Sequence, residues 1–287
     1  LTVTLATAVA GLIAGLGIGG LGAGLVVVFR ASRVVNLAHA ELGAAGAALC
    51  AWLVGHGRLP FPAAAGVAVA GAAVTGALIE VVVVRRLQAG SPAAVMIATA
   101  GLGEVFLALS LVLGAGVRSR VGYPVPFTAR LDLGRGVVLR GSDISLVIAV
   151  PVLAVALALV LQRSRLGSAL RAASDNPEAA RLAGLPVGAL AALAWAAAAA
   201  LSAVVVICLL AGRPAVGSDA LGPEVLFESL AAAVLARFRH PSWALLAGLG
   251  IGVAVQVVGY NWPGGMSDVV LFVVVAVGAV LVWRPWS

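Results

Sequence analysis

Long apolar runs alternate with short polar breaks along the whole chain. Nine runs can be drawn, at residues 5–29, 40–55, 61–84, 92–115, 144–162, 187–211, 224–236, 242–258 and 267–283. A helix needs about 20 predominantly apolar residues to cross a bilayer. The pattern therefore predicts an all-α polytopic membrane protein with about 8–10 transmembrane helices. Two runs leave the count open. The first is rich in glycine (Gly11, Gly15, Gly17, Gly19, Gly20, Gly22, Gly24). That composition suits close helix contact through small residues spaced four apart, but it also fits a break flanked by two short helices. The seventh run is short.

The polar breaks carry patterns of their own. Arg163–Pro186 reads RSRLGSALRAASDNPEAARLAGLP. The spacing predicts a short helix over Gly167–Ala173 and a second one behind it. Asn176 is placed to cap the second helix, Pro177 to open it, Glu178 to sit in its first turn, and Gly184 to close it before Pro186. A capped, charged helix pair is not needed to cross a bilayer, so it reads as a surface on which a partner docks. Residues 30–48, RASRVVNLAHAELGAAGAA, crowd Arg30, Ser32, Arg33, Asn36, His39 and Glu41 between two apolar runs. Residues 116–143 form the longest non-apolar segment. It is broken by Pro124, Pro126, Gly134, Gly136 and Gly141, and RLDLGRGVVLRG has the look of a hairpin around Gly134-Arg135. The chain thus reads as one transmembrane domain over 1–287, with an external loop at about 116–143 and a cytoplasmic loop at about 163–187.

Composition sharpens this. The 287 residues are 62% hydrophobic and only 10% charged, and mean hydropathy is +1.15. Soluble domains carry about 25% charged residues. The net charge of +7 comes from arginines at span ends, so it reports orientation in the bilayer rather than a nucleic-acid footprint. With the N-terminus outside, Arg30, Arg33, Arg85, Arg86, Arg163, Arg165, Arg171, Arg181, Arg237, Arg239 and Arg284 fall in the cytoplasm, against seven arginines outside, five of them in the 116–143 loop. The predicted orientation is N-terminus out and C-terminus in. All eighteen basic residues are arginine. Without lysine there is no P-loop in this chain to hold ATP, and no amine for a retinal or pyridoxal Schiff base. Cys50 and Cys208 lie inside apolar runs as reduced packing residues. His39, His56 and His240 have no metal-ligand spacing. No cofactor, metal or catalytic group is expected. The chain begins at Leu1 and stops at RPWS just after an apolar run, which suggests a fragment or an excised domain of a longer chain. No cleavable signal peptide is visible.

Several polar residues fall within the apolar runs. Glu104 sits mid-span, where an ionisable group costs about 2.5–3.5 kcal/mol on insertion scales. It either lines a pathway or is a carboxyl bonded to a neighbouring helix. Glu80 is near enough to Arg85 for an end-of-span ion pair. Ser202 and Gln256 suit bonds across helices, and Glu228 is a weaker pathway candidate than Glu104. The Asn36/His39/Glu41 group has no paired nucleophile and no second carboxylate at useful spacing, so it is not catalytic. Asn36 and His39 could share a face if their segment is helical. The group reads as a polar kink beside a translocation path, or simply as the mark of a span end.

Two segments together resemble one family. RVVNLAHAELGAAGA (33–47) resembles the R-V-x-N-x-A-H-G-E signature of branched-chain amino acid ABC transporter permeases of the LivH/LivM type. GSALRAASDNPEAARLAGLPV (167–187) resembles that family's cytoplasmic loop, on which the ATPase subunit docks. IEVVVVRRL (79–87), the A-T-x-G-L pattern at 98–102 and the terminal LVWRP are similar as well. The sequence departs from the family pattern in several places. Ala40 replaces a glycine, and Glu104 stands where the family has a neutral residue. ARFRHPSWALLAG replaces a glycine-rich segment, and Trp-Ser follows Arg284-Pro285.

The resemblance implies an ABC importer permease fold in the cell inner membrane. It implies a pore shared with a second homologous permease subunit, separate ABC ATPase subunits, and an extracytoplasmic substrate-binding protein. It places ATPase coupling at Gly167, Arg171, Ala172, Asn176, Glu178, Ala180 and Gly184, and a translocation path near Asn36, His39, Glu41 and Glu104. Branched-chain or other hydrophobic amino acids are the implied cargo, with urea or short-chain amides as the alternative. An ion-coupled secondary transporter using Glu104 is the reading from a different class.

Overall fold

The computed structural model describes residues 4–88, 90–117, 123–134, 136–212, 223–262, 266, 269, 271–273 and 276–278. Helices dominate. Helix α1 (Leu5–Ser32) is followed by α2 (His39–Gly55) and α3 (Phe61–Ile79). A π-helical turn, Glu80–Val84, carries α3 without a break into α4 (Arg85–Leu87). Then come α5 (Pro92–Val117), a small hairpin of β1 (Arg130–Gly134) and β2 (Val137–Arg140), and α6 (Gly141–Arg163). The polar pair α7 (Arg165–Asp175) and α8 (Pro177–Leu182) leads into α9 (Val187–Leu210), α10 (Pro223–Leu235) and α11 (Pro241–Asn261).

Six helical stretches among the described residues are long and apolar enough to cross a membrane: Leu5–Ser32, Phe61–Leu87, Ala93–Gly114, Gly141–Arg163, Val187–Leu210 and Pro241–Asn261. Helices α2 and α10 occupy the second and seventh expected runs with 17 and 13 residues, short of a full bilayer crossing. The ninth expected run lies largely outside the described residues. The hairpin expected around Gly134 is present and antiparallel, pairing Arg130 with Arg140 and Leu131 with Leu139. Arg135 itself lies outside the described residues.

The glycine-rich first run is one unbroken helix. Its glycines serve packing: a Cβ on Gly11, Gly15 or Gly19 would come within 2.7 Å of backbone atoms of α11 at Val253, Gly248 and Leu245 respectively. Gly248 and Gly252 on α11 meet Gly19 and Gly15 in return. Small residues on both partners let the two backbones touch, which is how helices associate where lipid offers no hydrophobic drive. Helix α1 becomes the axis of the molecule. Its most apolar stretch is 78% buried and that of α9 is 67% buried, against 22–33% for α3–α4, α5, α6 and α11. The outer helices present valine and leucine outward, as lipid-facing helices do.

The structure sorts the loops into two ends. At one end Arg33 pairs with Asp175 at 3.2 Å, Arg85 donates to the Gly188 carbonyl at 2.7 Å, Gln88 to that of Ser32 at 3.0 Å, and Arg30 to that of Arg239 at 2.8 Å. These bonds join the breaks after α1, α4, α6 and α10. At the opposite end the Gly212 amide donates to the Tyr123 carbonyl at 3.1 Å, and β2 lies beside the start of α1 and the end of α9.

Candidate docking loop and translocation path

The loop between α6 and α9 is built as its sequence directs. The Ser164 hydroxyl accepts from the Gly167 amide at 3.0 Å and caps α7. The Asn176 carboxamide accepts from the Ala179 amide at 3.0 Å and caps α8, with Pro177 in the first position. Gly184 has φ +80°, a conformation that L residues pay for and glycine does not. Its amide donates to the Arg181 carbonyl at 3.0 Å, and the Leu185 amide reaches back to Ala180 at 2.9 Å, closing α8. Helix α7 runs from Arg165 to Asp175, longer at both ends than the expected 167–173.

The seven expected coupling residues divide by role. Gly167 is buried where a Cβ would strike the carbonyls of Val160 and Leu161, so it lets α7 fold tightly onto the end of α6. Arg171 donates to the Leu161 carbonyl and, at 3.2 Å, to the Ser168 hydroxyl, fixing the same corner. Ala180 is buried. Asn176 and Gly184 are the cap and the stop. Ala172 and Glu178 are exposed. The sequence reasoning missed Leu182, at the end of α8, which is 90% exposed. Its signal was present: a leucine one residue past Arg181, opposite the buried Ala180 of a two-turn helix.

The pathway candidates also divide. Asn36 is not on a helix with His39, contrary to the shared-face expectation: α1 ends at Ser32, Arg33 takes a left-handed φ of 56°, and α2 begins at His39. The Asn36 side chain is buried and accepts from the Ala38 amide at 3.0 Å, holding the turn. The break is tied to α5 by the Leu37 amide, which donates to the Thr99 hydroxyl at 3.3 Å. His39 is fully buried against Gly24 of α1. Its ring interacts with the Leu21 backbone, although neither nitrogen reaches a partner in hydrogen-bonding geometry. Its carbonyl accepts from Ser202 of α9 at 2.7 Å, the cross-helix bond expected of that serine. Asn36 and His39 therefore shape the join between α1, α2 and α9.

Glu41 and Glu104 face another way. Glu41 turns toward α5, where a Cβ on Gly103 would sit 3.8 Å from its Oε2. That oxygen is buried without a hydrogen-bond partner. Glu104 is exposed on α5 and close enough for the two carboxylates to interact. The structure brings these two together beside the Leu37–Ala38 turn, while the Asn36 side chain bonds within that turn and His39 packs on α1. Glu80 is the ion-pair partner expected: its carboxylate is 3% exposed and takes both Nε and Nη2 of Arg85, at 3.2 and 2.5 Å.

A sequence profile described as "Branched-chain amino acid transport system / permease component" matches residues 5–278. The chain belongs to this family. It is an all-α, multi-pass ABC permease component, as the two motifs led us to expect. Among solved structures the fold is similar to "PsaBC from Streptococcus pneumoniae in complex with Fab", at 15% identity and a TM-score of 0.51, covering 97% of this chain and 90% of that one. At that identity the likeness bears on fold alone. A search of curated protein sequences finds no significant match.

Proposed function

We propose that this permease is the membrane subunit of an ATP-driven importer, and that it forms the path for branched-chain or other hydrophobic amino acids together with a second homologous permease subunit. A substrate-binding protein delivers cargo on the outer side, and separate ATPases dock on α7 and α8. The observation that carries the reading is the α7–α8 pair. It is capped at each start, locked to α6 through Gly167 and Arg171, and it holds out Leu182 beside Arg181 and Glu178. A nearly bare leucine at the tip of a rigid polar element fits a hydrophobic socket in a partner. The absence of lysine supports a separate ATPase, since this chain has no P-loop. The arginine count supports placing this loop in the cytoplasm, with the N-terminus outside, in a cell inner membrane. Membership in a permease-component family replaces the ion-coupled transporter as the reading.

Burying one leucine contributes about 1.5–3 kcal/mol. Leu182→Asp is therefore expected to weaken ATPase association about tenfold or more, with membrane yield of the permease unchanged. Co-purification of the ATPase, with uptake into vesicles, measures it. ATPase recovery equal to wild type would refute docking at α8, and uptake that runs without ATP but collapses with a protonophore would refute the importer reading. Cargo is settled by the ligand of the cognate binding protein, where urea or a short amide in place of leucine would overturn the amino-acid assignment.

A further inference from the structure

Beneath α8, at the end of the bundle that gathers the arginines, lies a cavity of about 350 Å³ that is open on one side. It is lined by the end of α1 (Ser32, Arg33), the π turn and α4 (Glu80, Arg85), α8 (Arg181) and the start of α9 (Gly188). Three guanidinium groups and one carboxylate contribute to its wall, and the carboxylate is already consumed. Both Glu80 oxygens are held by Arg85. Arg33 spends Nη2 on Asp175 and Nε on the Ser174 carbonyl, in a pair that is 59% and 75% exposed and so binds weakly. Among the described residues, Nη1 of Arg33, Nη1 of Arg85 and the whole guanidinium of Arg181 have no hydrogen-bond acceptor. A pocket with this many unspent planar donors is suited to a phosphate, which accepts from two or three arginines at once.

We infer that this cavity is a binding site for a phosphate monoester or diester, either the headgroup of an anionic phospholipid or a free phosphate compound. The membrane position favours the lipid as the source. The cavity sits where the bundle ends, and basic pockets between helix ends hold anionic headgroups on the cytoplasmic side of membranes. A ligand held here would tie α8 to the end of α1 and to α4, where the exposed Arg33–Asp175 pair reaches α7 and Gln88 bonds the Ser32 carbonyl. The site needs only that this end of the bundle meets the membrane surface, so it stands whether or not an ATPase binds α8.

The test uses the full chain purified from membranes, delipidated and analysed by native mass spectrometry with phosphatidylglycerol or phosphatidylcholine, and separately titrated with inorganic phosphate. Arg181→Gln removes one guanidinium from an exposed side chain that has no other bond among the described residues, so folding is preserved, and an unchanged size-exclusion profile checks this. Arg163→Gln, at the end of α6 and outside the cavity, is the control. The expected result is retention of phosphatidylglycerol over phosphatidylcholine by wild type, lowered about fivefold in Arg181→Gln and unchanged in Arg163→Gln. Saturable binding of inorganic phosphate, lost in Arg181→Gln without any lipid preference, would keep the site and make free phosphate its source. Equal loss in both variants would show diffuse attraction to a basic surface and overturn the site, as would failure of both lipid and phosphate to bind.

Discussion

At the scale of single residues, two placements govern stability. Glu80 and Arg85 form a pair in which the carboxylate is buried and the guanidinium is 43% exposed. Removing the arginine alone strands a buried charge, which costs about 3–5 kcal/mol, whereas removing both charges leaves neutral groups and costs far less. Arg85→Gln is therefore expected to lower the thermal midpoint in detergent more than the double variant Glu80→Gln/Arg85→Gln does. A double variant less stable than Arg85→Gln would refute this account of the pair. Gly15 makes the second case. Valine there would drive a Cβ into the Gly248 carbonyl and the Leu249 Cα, both 2.7 Å away, and overpacking of this kind costs about 1–3 kcal/mol. Gly66 on α3 has nothing within 4 Å of the same position, so Gly66→Ala should leave the midpoint unchanged or raise it slightly. The glycines of α1 were visible in the sequence, but their partner was not. Nothing in the spacing of Gly11, Gly15 and Gly19 says that α11, more than 200 positions on, supplies the complementary glycines.

At the scale of elements, the loop that follows α10 shows how a departure from the family pattern is accommodated. Where the resemblance leads one to expect glycines, this chain has Arg237 and Phe238, with φ of 55° and 51°. Two successive L residues in the left-handed region cost about 1–2 kcal/mol each. The surroundings hold them there. The Phe238 amide donates to the Ala233 carbonyl at 3.0 Å, its ring packs on Phe29 at a 37° tilt with centroids 4.4 Å apart, and Arg30 binds the Arg239 carbonyl. Arg237 is exposed, so Arg237→Gly removes strain without opening a cavity and should raise the thermal midpoint. A lowered midpoint would mean that the arginine side chain contributes more than the backbone costs. Local signals of this kind were legible elsewhere too. Asn176, Pro177, Gly184 and the Gly134 hairpin were readable because a cap, a first-turn proline and a left-handed stop act within four residues. The π turn at 80–84 was not: beside it Arg85 binds Glu80 and the Gly188 carbonyl of a helix distant in sequence, a partner no local spacing reveals.

At the scale of the whole molecule, the distribution of burial says which faces need neighbours. Helix α5 is the least buried of the six spanning stretches, at 22%. Its outward residues Ile97, Val105 and Val112 are 73%, 60% and 73% exposed. Such a face suits lipid, except that Glu104 stands on it with Glu41 close behind. A carboxylate mid-span costs about 2.5–3.5 kcal/mol against lipid, and a second one nearby adds repulsion rather than relief. In the proposed importer the pair is therefore expected to turn toward a water-filled path shared with a second permease subunit, where solvent and cargo replace lipid. The two environments predict opposite responses. If Glu104 faced lipid, Glu104→Leu would raise membrane yield and leave uptake unchanged, because a costly group would have been exchanged for a suitable one. On the path, Glu104→Leu should depress uptake strongly, and Glu104→Gln, which keeps shape and hydrogen bonding, should retain more of it. Uptake rate and yield measured together for both variants separate the cases, and wild-type uptake in Glu104→Leu would remove Glu104 from the path.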